Sequence, residues 1–93
     1  MEIRQSKSFG RSVKKFTQKE KAELDRQIRT LSEHPGIGEE KKGDLKGVYV
    51  HKFRIGNQRL LLSYRLANGC LELIMIGPHE NYYRDLKQYL KNR

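Results

Sequence analysis

Gly47-Val48-Tyr49-Val50-His51-Lys52-Phe53-Arg54-Ile55-Gly56-Asn57-Gln58-Arg59-Leu60-Leu61-Leu62-Ser63-Tyr64-Arg65 is the stretch on which the reading of this chain turns. From Gly47 the side chains alternate, with Val48, Val50, Lys52 and Arg54 on one side and Tyr49, His51 and Phe53 on the other. That is the period of two a pleated strand imposes. Ile55-Gly56-Asn57-Gln58 carries a turn signal, and a second strand runs from about residue 59 to residue 66. Ala67-Asn68-Gly69 is another hairpin turn, because Asn-Gly accepts the positive φ that tight hairpins require; residues 71–76 form the next strand. Connections this short cannot make parallel crossovers, so the three strands form an antiparallel meander. Arg59 and Arg65 bracket the apolar run that starts at Leu60, and a charge enters such a run only with a partner or facing water. The pattern predicts one dry face and one cationic face.

Upstream the period is helical. Phe9, Val13 and Phe16 fall at i, i+4 and i+7 with Lys7, Arg11, Lys14 and Lys15 between them, which predicts a short amphipathic helix over residues 6–16, weakened locally by Gly10. Thr17-Gln18-Lys19-Glu20 reads as a capping box, so a second helix starts there and continues through Leu24, Ile28 and Leu31. Glu33-His34-Pro35-Gly36 ends it, with His34 complementing the helix dipole. Residues 37–46 are Gly-rich and charged with both signs, which predicts an exposed, mobile connection. Beyond Gly77-Pro78 the spacing turns helical again, with Tyr82, Leu86 and Tyr89 on one stripe and Tyr83 and Leu90 on its flank. With a possible first strand at residues 2–5, the chain reads as α+β: a helical hairpin packed on a small antiparallel sheet, closed by a C-terminal helix.

At 93 residues this is one domain, with a core just large enough to fold without staples. The single cysteine, Cys70, excludes an intrachain disulfide framework, fits a reducing cytosol and reads as structural. The N-terminus has no apolar signal segment and the apolar runs are strand-length, so neither secretion nor membrane spanning is indicated. A net charge of +9, from 20 Lys and Arg against 11 Asp and Glu, makes a polyanion the leading partner class, with an acidic protein as a second candidate.

The sequence carries no HExxH, CxxC, Gly-rich phosphate loop or carboxylate dyad, which argues against zinc proteases, nucleotide hydrolases and glycosidases; no metal or cofactor is expected. His79 just past a strand end, followed by Tyr82 and Tyr83, supplies groups able to move protons near neutral pH. Arg54 and Arg59 bring fixed charge in a fork that matches phosphate oxygens, and Lys52 can bind phosphate or exchange a proton. Cations beside a proton shuttle suit chemistry on a phosphodiester. Tyr83 or Tyr82 could stack on an exposed base, although aromatic residues at helical spacing also build cores. His51 alternates away from Lys52 and Arg54, so packing on the opposite face is its expected role.

Gly43-Asp44-Leu45-Lys46-Gly47-Val48-Tyr49, Lys52-Phe53-Arg54-Ile55-Gly56, Arg59-Leu60-Leu61 and Ile76-Gly77-Pro78-His79, in this order after a helical hairpin, resemble the RelE/ParE toxin superfamily over nearly the whole chain. The resemblance implies a cytoplasmic toxin of a bacterial toxin–antitoxin pair. Its RelE-like branch cleaves mRNA, usually in the 30S ribosomal A site, and its ParE-like branch poisons DNA gyrase. It implies an acidic antitoxin as partner in a hetero-oligomer. Carried over by position, Lys52, Arg54, Arg59, His79 and Tyr83 match the family's site, with Tyr82 the competing register for Tyr83; His79, Arg59, Lys52 and Tyr83 are the expected catalytic residues and Arg54 an expected RNA contact. Arg65 on the cationic strand face, Lys46 and Tyr82 complete the expected RNA contacts. Where RelE alternates two lysines on its strand this chain has Val50 and Lys52, leaving His51 or Lys46 to substitute.

Overall fold

The computed structural model describes residues 1–92. Strand β1 (Glu2–Gln5) leads into helix α1 (Lys7–Val13) and helix α2 (Gln18–Glu33), then edge strand β2 (Glu39–Glu40), the meander β3 (Val48–Ile55), β4 (Gln58–Ala67) and β5 (Cys70–Gly77), and helix α3 (Tyr82–Lys91). The sheet order is β1-β5-β4-β3-β2. The meander is antiparallel as expected, but β1 joins β5 in parallel, which makes the sheet mixed. The chain reaches that parallel pairing through a long connection that holds the helical hairpin, β2, β3 and β4.

Local chemistry places the boundaries. Ser6 caps α1, its hydroxyl accepting from the Phe9 amide at 3.0 Å and donating to the Ile74 carbonyl of β5, so one side chain both starts the helix and ties it to the sheet. The helix ends at Val13, a turn short of the expected stop, yet Phe16 still packs against the core. The Thr17 capping box forms as read: Glu20 N donates to Thr17 Oγ1 (3.1 Å) and Thr17 N to Glu20 Oε1 (2.7 Å), satisfying two otherwise unpaired amides. Asn68 and Gly69 both take positive φ, 53° and 72°, the geometry of a tight two-residue hairpin turn.

The hairpin covers one sheet face, α1 over β5 and α2 over β3. Phe9, Leu24 and Leu31 pack there on Leu60, Leu62, Tyr64, Leu71, Leu73 and Ile76. On the other face α3 sets Tyr82 and Leu86 against Leu45, Val48, Val50, Leu61 and Ile74. The sheet is therefore apolar on both faces, and the expected division into a dry and a cationic face is corrected: the charges occupy the part of the second face that α3 leaves bare. Residues 37–46 are also more ordered than expected. Two residues pair with β3 (Glu39 with Val50, Glu40 with Tyr49), Leu45 is buried, and the Gly38 amide donates to the Tyr64 hydroxyl at 3.1 Å. Tyr64 in turn donates to the Pro35 carbonyl (2.6 Å), so a buried phenol pins the exit of α2.

Candidate active site

The register of the meander builds the site. Arg54 of β3 lies directly opposite Arg59 of β4, and Lys52 opposite Leu61. On the far side of β4, Leu61 pairs with Gly77; continuing that antiparallel register two residues brings position 79 level with Arg59. A row of Arg54, Arg59 and His79 thus crosses three chain segments. Like charges directly opposite one another destabilise a sheet, and among the described residues neither arginine has an ion-pair partner. An arrangement that costs the fold and satisfies no internal carboxylate is suited to an external anion. Lys52, Arg54, Arg59 and His79 line a concavity of about 590 Å³ whose apolar wall includes Leu61.

The turn between β5 and α3 holds His79 in place. Tyr82 N donates to the His79 carbonyl (3.1 Å) and Asp85 N to the Asn81 carbonyl (3.0 Å), while Asn81 adopts φ 60°, a left-handed conformation that asparagine tolerates better than most residues. His79 itself is exposed. The ring of Tyr83 meets the imidazole edge-on, with centroids 6.1 Å apart and planes at 80°.

The other expected contacts separate. Tyr82 is buried, its hydroxyl donating to the Met75 carbonyl (2.7 Å) and standing 2.8 Å from Ser63 Oγ; burial raises its pKa far above the ordinary phenol value. It is a core residue, held away from the concavity, whereas Tyr83 is partly exposed beside His79. Arg65 faces the same side of the sheet but pairs with Val48 at the opposite end of the strands. It lines a different depression with Asp44, Lys87 and Lys91 and sits 3.8 Å from Glu72. Lys46 borders a third, beside Lys41 and Lys42. His51 faces the hairpin, as its alternation indicates, 2.8 Å from Gln27 Oε1 and stacked on Phe53.

One residue of this neighbourhood escaped the sequence reading. Lys41 Nζ lies 5.0 Å from the centre of the Tyr83 ring and pairs with Glu39, an interaction that raises its pKa. The charges of both signs at Glu39, Glu40, Lys41 and Lys42 suggested an exposed, mobile connection; only the pairing of β2 on β3 turns that segment toward α3. Among the described residues no three His, Cys, Asp or Glu side chains gather to hold a metal ion.

Helical hairpin, mixed sheet and single helix form a three-layer α+β domain, with the arginine pair and the histidine at one sheet end. The chain belongs to the family of ParE-like toxins of type II bacterial toxin–antitoxin systems, whose model matches residues 3–87. It is similar in structure to the isolated RelE toxin of E. coli (TM-score 0.65, 16% identity, covering 95% of this chain and 97% of that one). E. coli RelE in the intact RelBE toxin–antitoxin complex gives 0.66 at 15% identity, covering 83% and 94%, and a YoeB/ParE toxin from Agrobacterium tumefaciens 0.63 at 22%, covering 85% and 99%. Against curated proteins the chain has no match.

Proposed function

We propose that this toxin is a metal-independent endoribonuclease that cleaves mRNA, bound at the 30S A site of the ribosome, and so inhibits translation. The observation that carries the reading is the convergence of Lys52, Arg54, Arg59 and His79 on one concavity in which, among the described residues, neither arginine has an ion-pair partner. In the reaction the 2′-oxygen attacks the adjacent phosphorus and loses its proton to a base. The P–O5′ bond breaks, and the leaving 5′-oxygen takes a proton, giving a cyclic phosphate and a free 5′-hydroxyl. His79 is the group at the site suited to exchange those protons. Arg54 and Arg59 are placed to neutralise the charge that builds on the equatorial oxygens of the phosphorane, where fixed donors contribute most. Lys52 contacts a phosphate oxygen, and Tyr83 presents an aromatic edge against His79 that orients the imidazole.

A second reading, inhibition of DNA gyrase without catalysis, draws support from the ParE-like description of the family. Primer extension on an mRNA translated with the protein, run beside a gyrase supercoiling assay, separates the two: discrete new 5′ ends support the nuclease, and loss of supercoiling with intact mRNA overturns it.

The partner is an acidic antitoxin encoded with the chain. RelE occurs with its antitoxin in the RelBE complex, and a RelE mutant solved with an antitoxin RelBc peptide has a TM-score of 0.67 at 17% identity, covering 90% of this chain and 92% of that one. A net charge of +9 gives an acidic partner electrostatic steering. Expressing the chain alone in bacteria tests the toxin: growth arrest is expected, relieved by the co-expressed antitoxin.

A further inference from the structure

Tyr83 is held from three directions. Its ring meets Tyr82 edge-on at 5.7 Å and 85°, and Tyr82 is itself fixed through its hydroxyl to Met75 and Ser63. It meets His79 edge-on at 6.1 Å. Over its face stands Lys41, whose backbone amide donates to the Val48 carbonyl at 2.8 Å, so the residue just past β2 is tied to β3 and its stem does not rise from a loose linker. The Lys41 side chain is only 21% exposed, and its ammonium pairs with Glu39. A lysine that merely solvates a surface keeps its head in water; this one is folded onto an aromatic ring and pinned by a carboxylate two residues back.

We propose that Lys41 is a positioning residue of the site: clasped by Glu39 and laid over Tyr83, its ammonium fixes the ring that abuts His79 and thereby sets the direction of the imidazole. The proposal rests on the nuclease reading. Physically it needs only the attraction of a cation to the negative face of a ring and the transmission of that contact through one packed aromatic. Lys41 touches no reacting atom in this scheme. It differs in kind from Lys52, Arg54 and Arg59, which line the concavity directly.

The test uses the full-length chain and two substitutions, Lys41→Met, which keeps the stem and removes the charge, and Lys41→Arg, which keeps a cation able to sit on the ring. NMR of the aromatic carbons and protons reads the His79 ring, whose signals are displaced by the neighbouring Tyr83. Lys41→Met is expected to move the His79 signals toward those of free histidine, and Lys41→Arg to hold them near wild type. In cleavage of a minimal RNA, Lys41→Met is expected to lower kcat about tenfold with KM nearly unchanged, with recovery in Lys41→Arg. His79 signals indifferent to Lys41→Met overturn the proposal, as does a rise in KM with kcat unchanged, which marks Lys41 as a plain phosphate contact. Where wild type cleaves only mRNA on translating ribosomes, the same comparison is made there; should it cleave neither substrate, the nuclease reading falls by itself and the NMR arm still decides the Lys41 contact. Glu39→Gln, which loosens the clasp and leaves the lysine, serves if Lys41→Met fails to fold, and shifts the His79 signals in the same direction.

Discussion

The two faces of the central sheet are made from the same strands, one residue out of phase, and they have opposite fates. The face under the helical hairpin is closed along the meander: Leu60, Leu62 and Tyr64 of β4 alternate inward and each is buried. The face under α3 is closed only where that ten-residue helix reaches. Leu61 and Ser63 are buried there, while Arg59, one step further along the same side of β4, is exposed. One side of β4 is thus sealed and the other left open at Arg59, and the boundary is set by where α3 begins, at Tyr82, rather than by the strand. A charge pair such as Arg54 and Arg59 is tolerable only beyond that boundary, where water or a ligand screens it.

Substitutions should separate the two regions, beginning with the largest effect. His79→Ala and Arg59→Ala are expected to lower RNA cleavage by about 100- to 10,000-fold, the range for losing a general acid–base group or a transition-state donor. Both side chains are exposed, so thermal stability should move little. Full activity in either variant removes that residue from the mechanism. Leu62→Ala on the sealed face inverts the pattern: the residue is fully buried, and its loss should cost about 2–5 kcal/mol in urea unfolding while touching no group of the site.

A middle case sits where a loop meets the sealed face. A Cβ on Gly38 would lie 2.3 Å from the Tyr64 hydroxyl and 2.9 Å from its ring, and the buried phenol has nowhere to swing. Gly38→Ala is expected to destabilise by about 1–3 kcal/mol, as overpacking does, whereas Gly36→Ala, with nothing within 4 Å of the new carbon, should be close to neutral. Equal effects of the two would show that the Tyr64 anchor is not what fixes the exit of α2.

Salt dependence sharpens the open face. If Lys52, Arg54 and Arg59 meet phosphates, affinity for single-stranded RNA should fall by about 0.7 log units per log salt for each phosphate contacted, and each neutralising substitution should lower that slope by about one such step. Arg65→Ala, at the far end of the strands beside Glu72, should leave the slope as it is. A flat salt profile would overturn phosphate binding at this face.

How much of this was legible beforehand follows the range of the signals. The capping box at Thr17, the Asn68-Gly69 turn and the alternation from Val48 to Arg54 are local, and each forms as its residues dictate. The row of Arg54, Arg59 and His79 was partly legible, because a hairpin of known turn length fixes which residues face each other. What sequence could not supply was register across long separations. That β1 would run parallel to β5 depends on a crossover, and that Lys41 would reach Tyr83 depends on a two-residue strand with no hydrophobic signature. Tyr82 and Tyr83 are neighbours of identical type, and only the buried hydrogen bonds of the first to Ser63 and Met75 tell them apart. Arg65 was drawn to the site by its face alone; its position along the strand separates it.

The smallest expected effect belongs to His51, the histidine on the sealed face, and it contrasts with His79 on the open one. Its ring stacks on Phe53 with centroids 5.5 Å apart and its Nε2 lies 2.8 Å from Gln27 Oε1. Burial lowers its pKa below the ordinary value of about 6.5. The unfolded chain therefore takes up the proton at a higher pH than the folded one, and the folded state binds fewer protons between the two pKa values. Stability from this group is complete above about pH 6.5 and declines as pH falls from there toward the depressed folded value, below which it is flat. Urea midpoints measured at intervals from pH 7.5 to pH 5 should show that decline in the wild type and a shallower one in His51→Gln, which cannot take up the proton. Cleavage by His51→Gln should keep the wild-type pH profile, because the ring lies on the opposite side of the sheet from Arg59 and His79. A changed profile with unchanged midpoints would mean that the two faces are coupled through the sheet, and the division between them drawn here would fail.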